Sequence, residues 1–369
     1  MLAVGHSEAA TAKGVAEQLH AELGADHRVV LYFASTRYEP RELAIELASR
    51  FPDALVAGCS TMGELGPKGL TTDSVSAVGL AAPCRAVAQV IEDTRGFQFA
   101  DGVALCAAMA ADLDTSQLDP EKHVLVTLTD GLSGAEELVV AALGLAAPQV
   151  GLVGGSAADD LHLEQTWVAL DGRVFPSASL VLVLEPQQPF TAFAVHHFDA
   201  TERRVVVTRA DPDRRVVHAL DGLPAAEVMA ELLDVTRAAL LERPLLPSER
   251  DVSFAYAIGE RMFMRSVIAV EGDSLVMRGA VEEGVVLRVM RGGDLVERTR
   301  SGFGEALHAT AAGALVFNCG GRLLEARARG VEAALYDAMS AVPVAGFSTY
   351  GEQFGPLLVN HTLTGLAIG

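Results

Sequence analysis

One nine-residue stretch occurs almost twice: residues 56–64 read VAGCSTMGE and residues 344–352 read VAGFSTYGE, differing at two positions. Each copy reads as an apolar strand running into a glycine, a hydroxyl pair and a carboxylate. The flanks repeat as well. Upstream of the first copy lie an apolar strand, VVLYFAS (29–35), and a helix, EPRELAIELASRF (39–51), with Pro40 suited to a first helical turn; downstream comes a strand, SVSAVGLAA (74–82). The last copy has the same order: strand 314–318, helix 322–340, the turn, and a closing strand HTLTGLAI (361–368).

A more diverged third copy lies between them. HVLVTLT (123–129) reads as a strand and GAEELVVAALGLA (134–146) as a helix; VGLVGGSAADD and the strand SLVLVLE (179–185) complete it. Aligning Gly154 with Gly58 and Gly346 places Ser156 on Ser60 and Ser348, and Asp160 on Glu64 and Glu352. Apolar strands alternating with helices imply buried sheet covered by helices. Residues 190–200, 203–210 and 214–222 break the pattern with short strands at meander spacing; a helix at 223–242, strands around 252–259, 262–270 and 284–291, and a helix at 295–310 follow. The fold class expected is mixed α/β: β-α-β-turn-β units repeated three times, mostly buried sheets covered by helices, with an inserted antiparallel meander. Pro-Gln-Gln-Pro at 186–189 marks the boundary between an N-terminal domain, 1–188, and a C-terminal domain, 189–369.

Composition narrows the function. A net charge of −20 argues against a nucleic-acid footprint, and basic pairs such as Arg203-Arg204 and Arg214-Arg215 read as solvated strand ends. The four cysteines (Cys59, Cys84, Cys106, Cys319) show no C-x-x-C spacing, so neither a disulfide framework nor a zinc cluster is expected. The N-terminal MLAVGHSEAATAKG lacks the basic and apolar regions of a signal peptide, and no apolar run has transmembrane length. A cytoplasmic location without membrane or nucleic-acid partners is the expectation.

The turns carry the chemistry. Gly58, Ser60, Thr61 and Glu64, then Gly154, Ser156 and Asp160, then Ser348, Thr349 and Glu352 offer backbone N–H groups, hydroxyls and carboxylates to a small polar ligand. Beyond the carboxyl ends of strands is where open α/β sheets bind ligands. The plainer reading is turn chemistry, with hydroxyls capping their own backbone. The spacing after Ser60 is one residue too long for a G-x-S-x-G nucleophile elbow. Cys59 is replaced by Phe347 in the last copy, and Cys319, in FNCGGR beside Arg322, is either a thiol with lowered pKa or a small buried hydrophobe. His196-His197 interrupts an apolar strand; alternation puts the rings on opposite faces, so they cannot chelate one ion together. Ala192 and Ala194 share the face of His196 and leave room for a flat ligand, so either histidine is a candidate axial ligand of haem iron, with His361 next.

AGCSTMGE, GLVGGSAADD, FNCGGR and AGFSTYGE…VNHTLTGLAI, in that order, resemble the FIST proteins (F-box and intracellular signal transduction), an N-terminal FIST segment covering roughly 28–190 and a C-terminal one roughly 215–365. The same stretches add Cys319, Arg322, Tyr350 and Asn360 to the candidate ligand-binding residues. The resemblance implies a sensory ligand-binding module rather than an enzyme, acting on a signalling partner such as a histidine kinase or diguanylate cyclase. One branch, the NosP type, binds haem and senses nitric oxide. The expectation is therefore a bacterial sensor, possible as a homodimer, holding haem through His196 or His197. The alternatives are a sensor of an amino acid or other small polar ligand, and a thiol enzyme using Cys59 or Cys319. All three rest on the turns meeting around one hollow.

Overall fold

A computed structural model of the chain describes residues 2–242 and 252–369. Three units of one pattern form its body: strand, helix, strand, helix, strand, hairpin, strand. The first runs Leu2–Ser7, Ala12–Leu23, His27–Ala34, Pro40–Arg50, Leu55–Ser60, the hairpin Glu64–Gly66/Gly69–Thr71, and Val75–Ala81. The second runs Arg85–Ile91, Phe99–Asp112, Val124–Asp130, Glu136–Ala146, Gly151–Ala157, the hairpin Trp167–Leu170/Arg173–Pro176, and Ser179–Glu185. The third begins at Phe190–His196 and resumes, after an insertion, with Leu295–Ala306, Gly313–Cys319, Gly320–Arg329, Glu332–Asp337, Val344–Thr349, the hairpin Glu352–Phe354/Leu357–Val359, and Thr362–Ile368. The mixed α/β architecture and the threefold repeat expected from sequence are both present. Each unit also has a leading strand and helix; sequence reading left out those of the first two units and placed those of the third, 190–200 and 295–310, in the inserted meander.

Each sheet has one order, with the first strand at an edge, the last beside it, then the two parallel strands. The hairpin that completes the sheet comes from another unit. The first unit's hairpin pairs with Val344–Thr349, the third unit's with Gly151–Ala157, and the second unit's with Leu55–Ser60. The exchange is cyclic, so no unit has a complete sheet without the other two.

The inner faces of the three sheets merge into one core that includes Phe33, Cys59, Leu128, Val153, Phe317 and Phe347. Helices cover the outer faces and form a separate apolar cluster on each sheet. Strands buried on both faces explain the unbroken apolar runs of the sequence.

The insertion, from Phe198–Asp211 through Val286–Gly292, is an antiparallel meander with its own core. Its expected single helix at 223–242 is two, Ala225–Leu233 and Arg237–Glu242, because Asp234 takes a left-handed φ of 55°. Gly330, at φ 66°, likewise divides the helix expected at 322–340. The helix expected at 295–310 ends at Ala306.

Candidate functional site

The repeated glycine has a steric cause. Gly58, Gly154 and Gly346 occupy one position in the three units, and a Cβ there would collide with the carbonyl oxygen of Tyr32, Thr127 or Val316 on the adjacent parallel strand. Only glycine permits that approach.

Beyond the glycines the three turns interlock. Ser348 N–H donates to Gly63 O (2.7 Å) and Met62 N–H to Ser348 O (3.2 Å). Ser156 N–H donates to Gly351 O (2.8 Å) and Tyr350 N–H to Ser156 O (3.2 Å). Ala158 N–H donates to Ser60 O (3.0 Å), closing the ring. Ser60, Ser156 and Ser348 therefore do gather at one place.

The shared hollow expected there is instead filled. Met62, Ala158 and Tyr350, the residues two positions beyond the three serines, pack together with Leu323 as a plug. Beneath it Phe33 stacks on Phe347 (5.0 Å between centroids), and Phe317 meets Phe347 edge-on (5.7 Å). Cys59 lies in the same core, a small side chain where the last copy has the phenyl ring of Phe347. Gly155 serves the same end, since a Cβ there would press on Thr349, Phe347 and Phe317.

Two of the three carboxylates are equivalent. Glu64 and Glu352 are fully buried. Glu64 accepts from the Thr61 hydroxyl and from Ser74 N–H (3.2 Å) and Oγ (2.6 Å); Glu352 accepts from Thr349 Oγ1 (2.6 Å) and Thr362 N–H (3.3 Å). Burial raises Glu64 to about 7 and Glu352 to about 8 against these hydrogen bonds. Asp160 is not their counterpart, contrary to the alignment of the turns. Sheet register puts Val168 where Glu64 and Glu352 stand, twelve positions beyond Ser156 instead of four beyond Ser60 or Ser348.

The extra residues form a loop at the rim of the plug. Its anchor is Asp159, which accepts from Leu163, Glu164 and Gln165 N–H (3.0, 2.7 and 3.0 Å) and from Tyr350 OH (2.5 Å). Burial opposes ionisation of Asp159, but these four donors outweigh it and hold the carboxyl below its ordinary range. Tyr350 OH in turn accepts Leu161 N–H (2.8 Å). Leu161 and Leu163 take left-handed φ values of 67° and 57° with exposed side chains. That conformation is unfavourable for leucine and is tied down by Asp159 and Tyr350. Asp160, half-buried, accepts from Thr36 Oγ1 (3.1 Å), and burial raises its pKa.

The meander closes over the same rim. Arg278 donates from Nε to Tyr350 O (2.7 Å) and lies 4.9 Å from the Tyr350 ring centroid. Arg215 meets Glu136 and Glu137 (3.0 and 3.3 Å), so Arg214-Arg215 is not simply a solvated strand end. Asn360 Oδ1 accepts Ser266 N–H (3.2 Å), tying the last unit to the meander rather than facing a ligand. Sequence reading missed Asp159, Thr36 and Arg278, because their convergence depends on inter-unit register that no local periodicity encodes.

The second cluster surrounds Arg322, a fully buried guanidinium. It donates to Asn318 Oδ1 (3.0 Å), Thr299 Oγ1 (2.6 Å) and His197 Nδ1 (3.2 Å). His197 Nε2 lies 2.9 Å from Glu325, which also accepts from Arg329 (2.8 Å). Burial lowers the His197 pKa despite Glu325, so the ring is neutral, with its proton on Nε2 and its Nδ1 accepting from Arg322. His197 also falls between strands, where the meander leaves the third unit, and its carbonyl accepts Gly293 N–H (2.7 Å) where the meander returns. Burial pushes Cys319 up to about 12 and Cys59 well above the usual thiol range, so neither is a thiolate near neutral pH.

As a haem ligand His197 does not fit, since both ring nitrogens are engaged. His196 ends its strand half-buried; its Nδ1 accepts Phe198 N–H (3.3 Å), its Nε2 has no hydrogen-bond partner among the described residues, and burial lowers its pKa to about 4. Among the described residues no group of three or more His, Cys, Asp or Glu side chains is placed to hold a metal ion. Nor is any helix among them long and apolar enough to cross a membrane.

The sequence matches the FIST N domain over residues 28–223 and the FIST C domain over residues 225–355. The chain belongs to the FIST family, whose domains are associated with sensing in signal transduction. No curated protein matches it.

Proposed function

We propose that this FIST protein senses a small polar ligand, of amino-acid type, at the rim formed by Asp160, Thr36 and Arg278 around Tyr350. The observation that carries the reading is the convergence of all three turns under one residue, Tyr350, which the meander's Arg278 touches from the other side. Asp160 supplies an anion for an ammonium group and Arg278 a cation for a carboxylate, at the edge of the buried plug of Met62, Ala158 and Leu323. A ligand that draws Arg278 from Tyr350 O favours one setting of the meander over another, and only such differential binding moves an equilibrium. A partner signalling protein, such as a histidine kinase, reads that setting. Buried, protonated thiols at Cys59 and Cys319 weigh against the enzyme reading.

Thermal-shift screening with the free amino acids tests this. Stabilisation lost in Asp160→Asn and Arg278→Ala supports the site, whereas no stabilisation by any polar ligand removes it. A haem-based nitric-oxide sensor is the second reading, favoured by the neutral His196, whose Nε2 has no partner among the described residues. A Soret band after reconstitution that disappears in His196→Ala supports it; an unchanged band in that variant excludes His196.

A further inference from the structure

The three units allow each outer helix layer to be compared with its two equivalents. The leading helix of the first unit, Ala12–Leu23, exposes Lys13, Glu17, Gln18 and Glu22. That of the third, Leu295–Ala306, exposes Glu297, Arg298, Arg300 and Glu305. The second unit's helix, Phe99–Asp112, instead exposes Phe99, Val103, Ala104, Ala107, Ala108 and Ala111. Phe99 is 48% exposed and Val103 55%, and Leu145, on the adjoining helix Glu136–Ala146, is 66% exposed. The fold does not require this apolar face, because the same scaffold carries charged residues in the other two units. Contiguous exposed apolar surface of this kind marks an interaction site.

We infer that this face binds a second copy of the chain across a twofold axis. A twofold interface must be self-complementary, and this one holds both a projection and its receptacle. Phe99, Val103 and Ala107 form one stripe at four-residue spacing. Beside its far end lies a cavity of about 320 Å³ lined by Val103, Cys106, Ala107, Leu118, Ala146 and Val150. Antiparallel pairing of two such helices about Val103 sets each Phe99 against the other copy's Ala107 and its cavity, about 12 Å along the helix from Phe99. Small alanines let the helix backbones approach.

Charge selects the same occupant. In a chain of net charge −20, a partner chosen by charge would be basic and would need carboxylates to meet. The exposed stripe between Asp101 and Asp112 has none, so an identical face brings no carboxylate onto the axis. Two facing helices about 20 Å long make a small contact by the standard of stable interfaces, so association is looked for at micromolar chain concentrations.

The test is sedimentation of the full chain from about 1 to 100 μM, with variants. Wild type is expected to pass from monomer to dimer. Val103→Glu, which sets two carboxylates against each other on the axis, should weaken association at least about 100-fold, with thermal unfolding unchanged at dilutions where both proteins are monomeric. Ile45→Glu, at an exposed apolar residue of the first unit, should dimerise normally. Val103→Cys should form a disulfide-linked dimer under mild oxidation, because all four native cysteines are buried. A wild type that stays monomeric overturns the proposal. So does a dimer that survives Val103→Glu and leaves Val103→Cys uncrosslinked.

Discussion

Replacing Glu352 by glutamine tests whether the turn carboxylates are held neutral. In the folded chain burial raises this carboxyl to about 8, from an unfolded value near 4.5. Between those values the unfolded chain has released a proton that the folded chain keeps. The folded state binds more protons, so stability falls as pH rises through that window and levels off above it. Each unit costs at most about 1.4 kcal/mol, giving a ceiling of about 4 kcal/mol between pH 5 and 8. Thr349 Oγ1, Thr362 N–H and the charge of Arg322 all favour the ionised form, and the value of about 8 already includes their opposition to burial. Glutamine keeps the shape of the protonated acid and one acceptor oxygen but cannot ionise. Urea unfolding of both proteins at unit pH steps should give a wild-type-minus-variant difference that falls toward pH 8 by no more than that ceiling, with Glu352→Gln the more stable there. A difference that stays flat, or that rises with pH, would refute the assignment of a neutral Glu352.

Other perturbations have equally definite outcomes. Glu64→Gln should show the same sign of effect over a narrower window, ending near pH 7 and read by the same unfolding series. Cys59→Phe copies the last turn into the first and forces a third ring against Phe33 and Phe347; overpacking should cost about 1–3 kcal/mol in urea unfolding. Arg322→Lys keeps the charge but cannot reach Asn318, Thr299 and His197 together, and a loss of about 3 kcal/mol is expected from leaving buried partners unmade. Tyr350→Phe removes the hydroxyl that joins Asp159 to Leu161, and amide exchange across residues 159–165 should quicken while the sheets remain protected.

What the sequence revealed follows from which constraints are local. The glycine of each turn answers a contact made within its own unit, so it recurs visibly at positions 58, 154 and 346. The central strands and the helix between them were legible for the same reason, since apolar runs report burial on both faces, whereas the half-covered edge strands that open the units gave no such run. The hairpin exchange was not, because three-residue strands such as Glu64–Gly66 and Glu352–Phe354 are too short to show periodicity and find partners in other units. The insertion after Ser156 displaced the carboxylate alignment, so Asp160 was matched with Glu64 although register gives that place to Val168. Arg322 and Cys319 were picked out as neighbours of possible reactivity, but the bonds of Arg322 to His197, Asn318 and Thr299 form only in the folded chain.

Hydrogen–deuterium exchange of the full chain, with and without a stabilising amino acid from the thermal-shift screen, bears most directly on the three-turn receptor. Binding at the rim is expected to slow exchange in residues 58–64, 154–165 and 346–352 together, because their backbones bond to one another. Protection confined to a single turn, or appearing only around residues 190–197, would contradict it.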